Sequence, residues 1–194
     1  NTTITSHHGA VASYGDGAVV TLNNCTIDMA GIPGFTSHGI YTYNNGKVIV
    51  NGGTYENKAT DQNASGASVI NGAVEVNAGT FSGRIENYSG TPVLKGGTFS
   101  VKPNAKFIAE GYQVVENNGR WAVVIDPVAK SGSTDYATFE EAAAAAKAGD
   151  TIILNKDVTL SAELMIPAGV TLNGNGKQIN GSIYAGGDLT FAGH

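Results

Sequence analysis

Short segments in which apolar and polar residues alternate recur along the first half of the chain. Each combines a short alternating strand, two small residues, a threonine and a large apolar residue. The four segments are residues 18–27, 46–55, 72–81 and 91–99. Their threonines are Thr26, Thr54, Thr80 and Thr98. The resulting spacings of 28, 26 and 18 residues are typical of a repeat architecture with insertions at its turns.

The alternation predicts which side chains face the interior, because neighbouring side chains of a strand point to opposite sides. The predicted inward residues are Val20, Leu22, Val48, Val50, Val74, Val76 and Leu94. The predicted outward residues are Thr21, Ile49, Glu75 and Val93. The two small residues permit a sharp bend that a Cβ would obstruct. A second inward ladder is then expected from Ile27, Tyr55, Phe81 and Phe99.

Two further patterns concern the ends of this first half. The pair His8-Gly9 recurs 30 residues later as His38-Gly39, and each pair precedes a strand-like stretch. Stacked coils cover one another's apolar edges, so the terminal coils need caps. Near residue 120 the dipeptide Asn118-Gly119 lies between two apolar stretches, which predicts a closing hairpin.

The second half opens with the clearest helix signal in the chain. Thr138 and Glu141 have the spacing of a capping box, which predicts a helix near residues 138–148 that ends before Gly149. Its predicted buried face consists of Phe139, Ala143 and Ala146. Short strand-like pieces separated by turn residues follow at 151–154, 158–160, 164–166, 170–172, 182–184 and 188–191.

These patterns predict an all-β fold, a parallel β-helix or β-solenoid, in two segments with one short capping α-helix. Residues 1–125 would form a segment that ends in a closing hairpin. Residues 126–136 are predicted to be a linker, because residues 130–135 are small and polar. Residues 137–194 would form the helix-capped start of a second segment.

Composition narrows the possible functions. Glycine is abundant at 27 residues, charged residues make up 14% of the chain, and the formal net charge is −5. This acidic balance, with only Arg84 and Arg120 as arginines, argues against nucleic-acid and membrane surfaces. No apolar run reaches the roughly 18–20 residues that membrane insertion requires. The single cysteine, Cys25, excludes an internal disulfide framework, and its glycine-equivalent position favours a buried structural role.

A resemblance to a known family rests on two groups of residues. Residues 136–154 together with Gly169-Val-Thr-Leu-Asn-Gly-Asn-Gly-Lys-Gln-Ile179 resemble the opening of pectate-lyase-like β-helices, as found in large surface proteins of Gram-positive gut bacteria. Residues 96–100 and 111–124 are similar to the closing segment of the same modules. The resemblance covers roughly residues 45–193. It implies a right-handed parallel β-helix in a bacterial extracellular or cell-surface protein, but it says little about activity, since this fold hosts lyases, hydrolases, adhesins and spacers.

Catalytic chemistry is not expected. Ser37-His38-Gly39-Ile40 resembles the Gly-His-Gly signature of polygalacturonase-like hydrolases, which also need an adjacent aspartate pair and an Arg-Ile-Lys. The chain has no Asp-Asp pair, and Glu86 stands where that lysine is expected. No cofactor and no metal are predicted, although stacking of Asp28 near Glu56 could offer surface calcium ligands. His7 and His8 are adjacent, so their side chains would point apart.

One candidate binding site remains. Tyr41 and Tyr43 share a strand face, and Tyr14 lies at a related position in the preceding coil. Exposed, these rings would form a strip on which sugars stack; buried, they would belong to a core ladder.

The predicted function is that of a non-catalytic extracellular structural protein, a surface spacer, adhesin or fibre subunit. The alternative is a carbohydrate-binding or polysaccharide-cleaving β-helix module, whose partner would be a glycan or a host surface. The chain begins and stops in strand-like sequence, which predicts head-to-tail self-assembly of residues 182–194 on residues 1–25 of another copy. A piece cut from a longer protein would present the same ends. The residues expected at these contacts are Ile4, Ile183, Leu189 and Phe191.

Overall fold

The structure, a computed structural model, describes residues 2–6, 9–29, 37–57 and 68–193. This part of the chain is mostly β-structure with one α-helix, which confirms the expected all-β class. It divides into two compact units, one of residues 1–109 and 113–124 and the other of residues 110–112 and 125–194. No helix among the described residues is long and apolar enough to span a bilayer.

Among the described residues, thirteen strands precede residue 126. They are β1 (Thr3–Ser6), β2 (Gly9–Tyr14), β3 (Val19–Leu22), β4 (Cys25–Met29), β5 (His38–Tyr43), β6 (Lys47–Asn57), β7 (Ser68–Asn71), β8 (Val74–Ser82), β9 (Ile85–Glu86), β10 (Val93–Leu94), β11 (Thr98–Phe99), β12 (Tyr112–Asn117) and β13 (Arg120–Ile125). A short 3₁₀ turn spans Ala105–Phe107. One sheet runs β1-β4-β6-β8-β11-β13-β12, with β3 paired to β6 and β10 to β8, and a second runs β2-β5-β7-β9.

The threonine alignment predicted from the repeats is confirmed by the strand register. Thr26 pairs with Thr54, Thr54 with Thr80 and Thr80 with Thr98, all in parallel strands. Thr3 extends the column by one strand, because it pairs with Thr26. The predicted inward column is also confirmed: its members are buried, apart from Val20, which is half-buried.

The second predicted ladder is confirmed and forms the aromatic part of the core. Ile27, Tyr55, Phe81 and Phe99 are fully buried. The ring centroids of Tyr55 and Phe81 lie 4.9 Å apart, and those of Phe81 and Phe99 lie 5.0 Å apart, with nearly parallel planes. The Tyr55 hydroxyl donates a hydrogen bond to the Gly52 carbonyl at 2.7 Å, which satisfies its one polar group inside the core.

The bend before this ladder depends on glycine. Gly53 has φ +110°, a conformation that other residues rarely adopt. A Cβ at Gly53 would overlap the backbone oxygen of Cys25 on the neighbouring strand. The strands therefore approach too closely at this bend for any side chain on Gly53.

The stacking suggested by the repeated His-Gly dipeptide is confirmed, because β2 and β5 pair in parallel. Gly9 pairs with His38 and Val11 with Ile40, so the register is one residue short of the spacing of the dipeptides; His8 lies outside the described residues. The observed register places Ser13 opposite Thr42, both buried. Pairing of Gly9 with Gly39 would set inward side chains opposite outward ones, because a one-residue slip exchanges the faces of a strand.

The closing hairpin is confirmed as β12 and β13. Asn118 and Gly119 both have positive φ, at 51° and 74°, as a two-residue hairpin turn requires. β13 also pairs antiparallel with β11, at Thr98 with Ala122 and Phe99 with Trp121. The parallel ladder of the first unit thus ends on an antiparallel strand.

The second unit combines a hairpin, the helix and three parallel ladders. Its elements are β14 (Ala129–Ser131), β15 (Thr134–Tyr136), α1 (Phe139–Ala145), β16 (Thr151–Leu154), β17 (Val158–Thr159), β18 (Leu164–Ile166), β19 (Val170–Asn173), β20 (Ile179–Asn180), β21 (Ile183–Ala185) and β22 (Leu189–Ala192). Strands β16, β19 and β22 form one parallel ladder, β17 and β20 a second, and β18 and β21 a third.

The stretch predicted to be a linker, residues 126–136, contains the β14–β15 hairpin. The small polar residues that suggested a linker include the turn of this hairpin, where Gly132 has φ +58°. Ala129 is fully buried and pairs with Leu154 of β16, so β14 adds an antiparallel strand to the sheet that contains β16, β19 and β22.

The capping box of α1 is confirmed. Thr138 Oγ1 accepts a hydrogen bond from the Glu141 amide at 3.2 Å, and Glu141 Oε2 accepts one from the Thr138 amide at 3.3 Å. The helix is shorter than predicted, because Ala146 is already extended. Phe139, Ala142 and Ala143 are buried in the same core cluster as the apolar residues of β16 and β19.

Candidate functional site

Tyr14 and Tyr43 form an exposed aromatic pair at the ends of β2 and β5. The two residues pair in register, and their rings stack with centroids 5.5 Å apart and planes at 23°. Their side chains are 67% and 52% exposed. The Gly15 amide donates a hydrogen bond to the Tyr43 carbonyl at 3.1 Å, which holds the two strand ends together behind the rings.

Tyr41, the third predicted member of the strip, is half-buried. Its ring edge lies over Gly9 of β2, where an added Cβ would come within 2.9 Å of Tyr41 Cε1. Its ring centroid lies 6.0 Å from that of His38. Tyr41 is therefore packed on the sheet, and the accessible part of the predicted strip is the Tyr14–Tyr43 pair.

Sequence reasoning missed a further exposed tyrosine. Tyr88 is 71% exposed and follows β9. Its amide donates a hydrogen bond to Asn71 Oδ1 at 3.0 Å, which fixes the backbone at this point. No repeat of the sequence marks Tyr88, so only the structure identifies it.

His38 belongs to a polar cluster with β7. Its Nδ1 lies 2.8 Å from Ser68 Oγ, and its Nε2 lies 3.4 Å from the side-chain nitrogen Nδ2 of Asn71. The side-chain NH₂ group of Asn71 can only donate a hydrogen bond, so Nε2 of His38 accepts it. The ring proton of neutral His38 is then on Nδ1, which donates to Ser68 Oγ. Burial lowers the pKa of His38, and the nearby negative charge of Glu86 partly opposes that shift.

This cluster has the residue types of a serine–histidine pair but not the accessibility that catalysis needs. Ser68 is fully buried, so no substrate carbonyl or glycosidic bond can reach its hydroxyl. Glu86 is ion-paired to Arg84, with Nη2 and Oε1 2.9 Å apart. The arrangement therefore favours a structural role, joining β5 to β7.

The predicted proximity of Asp28 and Glu56 is confirmed, because these two residues pair in register between β4 and β6. Within the described ranges, no group of three or more His, Cys, Asp or Glu side chains could hold a metal ion. Cys25 pairs with Gly53, as its glycine-equivalent position predicted, and it is half-buried rather than buried.

The bends of the first unit carry an asparagine ladder that sequence reasoning missed. Asn51 Nδ2 donates to Asn23 Oδ1 and Asn77 Nδ2 donates to Asn51 Oδ1, both at 2.9 Å. Each asparagine directly follows an inward aliphatic residue of its repeat, and that position was the available signal. The next repeat has Lys95 there, so the ladder stops.

A buried asparagine ties β6 to the second sheet. Asn57 Nδ2 donates to the carbonyl oxygens of Ser37 at 3.1 Å and Ser68 at 3.0 Å. Ser37 immediately precedes β5 and Ser68 begins β7, so the Asn57 side chain links these two paired strands.

The residues predicted for self-assembly lie on edge strands or in the last parallel ladders. Ile4 of β1 pairs with Ile27, and Ile183 of β21 pairs with Leu164. In β22 the two predicted residues pair with buried residues of β19: Leu189 with Val170 and Phe191 with Leu172. Phe191 is nevertheless 69% exposed, because no strand covers β22 within the described residues.

Comparisons of this chain with protein-family models, with curated proteins and with solved structures gave no match. The resemblance to pectate-lyase-like β-helices therefore stays a prediction from the sequence. The features that bear on function are the stacked parallel ladders and the Tyr14–Tyr43 pair.

Proposed function

We propose that this chain is a non-catalytic structural protein of the bacterial exterior, a surface spacer, adhesin or fibre component built from β-solenoid coils. The observation that carries the proposal is the threonine column, in which five strands from β1 to β11 stack in parallel at one register. Such stacking gives a long, rigid element whose stability comes from contacts between neighbouring coils.

The spacing of paired strands in the second unit supports a right-handed parallel β-helix. Thr151 pairs with Thr171, Val158 with Ile179, and Leu164 with Ile183. Three different ladders thus share an offset of about 20 residues, the length that one coil of three short strands requires. Handedness is part of the proposal, because a parallel crossover is almost always right-handed.

The non-catalytic part of the proposal is supported by the burial of Ser68 behind His38 and by the pairing of Glu86 with Arg84. It is tested by incubating the protein with a panel of neutral and acidic polysaccharides. New reducing ends and the ultraviolet absorbance of unsaturated products would both be followed. We expect neither to rise above the buffer control, and turnover that disappears in a His38→Ala variant would overturn this proposal.

A carbohydrate-binding role is the second candidate, and the exposed Tyr14–Tyr43 stack favours it. Aromatic faces offer large, rigid, apolar surfaces that sugar rings can contact. Each tyrosine already covers one face of the other, so each has one face left for a ligand. A glycan array with the wild type, a Tyr14→Ala/Tyr43→Ala variant and a Tyr184→Ala control separates the two functions. Binding lost only in the double variant would favour the carbohydrate-binding module, whereas no binding by the wild type leaves the structural role.

Self-assembly is the third element of the proposal. The outer edge of β22 carries backbone groups with no strand partner among the described residues, beside the exposed ring of Phe191. The edge of β1 that faces away from β4 is the corresponding edge in the first unit. Addition of β1 of one copy to β22 of another would continue a parallel ladder and cover that ring.

A further inference from the structure

A cavity of about 290 Å³ lies in the first unit, away from the tyrosine pair. Residues 84–87, which include β9, line one side of it, and residues 101–107 line the other. Its volume is at the lower end of the range for small-molecule sites, so it suits one small group rather than a polymer.

The cavity concentrates positive charge in an acidic chain. Arg84, Lys102 and Lys106 all line it, whereas the chain as a whole has a net charge of −5. The Arg84 guanidinium is neutralised by Glu86, with Nη2 and Oε1 2.9 Å apart. The two lysines make no ion pair with a carboxylate anywhere in the described residues, so the cavity carries two uncompensated positive charges.

Neighbouring groups contact the ammonium groups of both lining lysines. Lys102 Nζ lies over the Trp121 ring, 4.7 Å from its centroid. Lys106 Nζ lies 5.1 Å from the centroid of Phe107 and 3.5 Å from Asn87 Oδ1. These contacts leave donor hydrogens of both lysines unused, since each ammonium group has three.

The local backbone also fixes the lysine side. Asn104 caps the 3₁₀ turn, because its Oδ1 accepts a hydrogen bond from the Lys106 amide at 3.1 Å. Phe107 of this turn is buried, which anchors the segment that carries both lysines. Both lysines therefore lie on a loop whose backbone is fixed by the Asn104 cap and the buried Phe107. The amide side chains of Asn87 and Asn104 also line the cavity and offer neutral hydrogen-bonding groups.

We propose that this cavity binds a tetrahedral oxyanion, a sulfate or phosphate group, between Lys102 and Lys106. Lysine ammonium groups recognise such anions as point charges, and their hydrogen bonds to an anion are stronger than those between neutral groups. The asparagine amides and Glu86 suit the hydroxyl groups of a sugar that carries the anion as an ester.

Titration of the uniformly ¹⁵N-labelled chain tests this proposal. The probes are sodium sulfate, sodium phosphate, galactose-6-sulfate and galactose-6-phosphate, each at an ionic strength matched with sodium chloride, and galactose as the uncharged control. We expect saturable amide shifts centred on residues 84–87 and 101–107 with the anions and none with galactose. If the sugar esters bind more tightly than the inorganic anions, the ligand is an anionic sugar. If the inorganic anions bind as tightly as the esters, the ligand is a free ion.

A Lys102→Gln/Lys106→Gln variant removes both charges while it keeps most of each side-chain stem. It should weaken anion binding by at least about tenfold, the effect expected for losing one charged hydrogen bond. The matched control, Lys147→Gln/Lys177→Gln, removes two exposed charges from the second unit and should bind like the wild type. Far-UV circular dichroism checks that both variants remain folded. Shifts no larger than those with chloride, or equal affinity of the Lys102→Gln/Lys106→Gln variant and the wild type, would overturn the proposal.

Discussion

At the scale of single residues, His38 of β5 lies in a polar cluster with side chains of the neighbouring strand β7. The dipeptide His38-Gly39 suggested a repeat and a hydrolase signature. The structure instead places the imidazole between Ser68 and Asn71, with Tyr41 and Glu86 as its other neighbours. Ser68, Asn71 and Glu86 are 30 or more residues away along the chain, so no local pattern could have revealed them.

This environment predicts a pH dependence of stability. Burial lowers the pKa of His38 from its usual value of 6.5, so the folded protein binds the proton less readily than the unfolded chain. Stability should therefore be fully present above pH 6.5 and fall as the pH drops through 6.5 toward the lowered folded pKa. Nuclear magnetic resonance titration of the His38 ring should give a midpoint below 6.5. Urea unfolding of a His38→Gln variant should lack this part of the pH dependence, and an equal slope in both proteins would contradict it.

Glycine at the bend gives a second residue-scale prediction. Gly53→Ala and Gly15→Ala both force alanine into a similar positive φ, +110° and +100°. Only Gly53 also faces a backbone oxygen, that of Cys25, whereas a Cβ at Gly15 meets open space. We expect Gly15→Ala to lower the free energy of unfolding by about 1–3 kcal/mol and Gly53→Ala to lower it by clearly more. Urea denaturation measures both, and equal losses would show that the close approach of the strands is unimportant.

At the scale of elements, the strand register could be predicted where the same residue pattern recurs in several repeats. The threonine register was predictable because each repeat carries the same small residues, threonine and large apolar residue. The His-Gly dipeptide indicated that β2 and β5 stack but not their exact register, in which the buried Ser13 and Thr42 lie opposite each other. The start of α1 was predictable from local capping chemistry, but its end was not, since Ala146 is a good helix former that the fold holds extended.

The aromatic ladder yields the prediction for this scale. Phe81 is fully buried between the rings of Tyr55 and Phe99, so its removal leaves a cavity in the middle of the stack. Phe81→Ala should lower the free energy of unfolding by about 3–5 kcal/mol. The control Tyr88→Ala removes an exposed aromatic ring of the same unit and should change it by about 0.5 kcal/mol or less. Chemical denaturation of both variants decides the matter, and a small loss for Phe81→Ala would mean that the ladder does not hold the coils together.

At the scale of the whole molecule, each unit carries its own parallel ladders and its own apolar core. In the first unit the threonine column passes through five strands, and in the second the ladder β16-β19-β22 repeats the arrangement. The candidate binding features could be predicted only in part. Strand alternation placed Tyr41 and Tyr43 on one face and the preceding coil placed Tyr14 beside them, but the sequence left open whether these rings are exposed. The cation-lined cavity depends on a loop, residues 101–107, whose conformation no periodic pattern specifies.

Edge geometry leads to the prediction for the molecule as a whole. Phe191 is on the core-facing column of β22, in line with buried Leu172, yet it is 69% exposed. Tyr184 of the adjacent β21 is also exposed, at 57%, but it pairs with the exposed Met165 on an outward column. Stacking of another coil on β22 would bury the ring of Phe191 and leave the ring of Tyr184 in solvent. Substitutions at these two positions therefore form a matched pair of variants.

We therefore expect the purified 194-residue chain to associate with rising concentration, and Phe191→Lys to suppress that association because a lysine on the stacking column would have to be buried. Tyr184→Lys adds the same charge on the outward column and should associate like the wild type. Static light scattering over a concentration series measures the mass, and electron microscopy shows whether a heterologous contact has propagated into fibres. A wild-type chain that stays monomeric throughout, or equal suppression by the two lysine variants, would exclude stacking through the edge of β22.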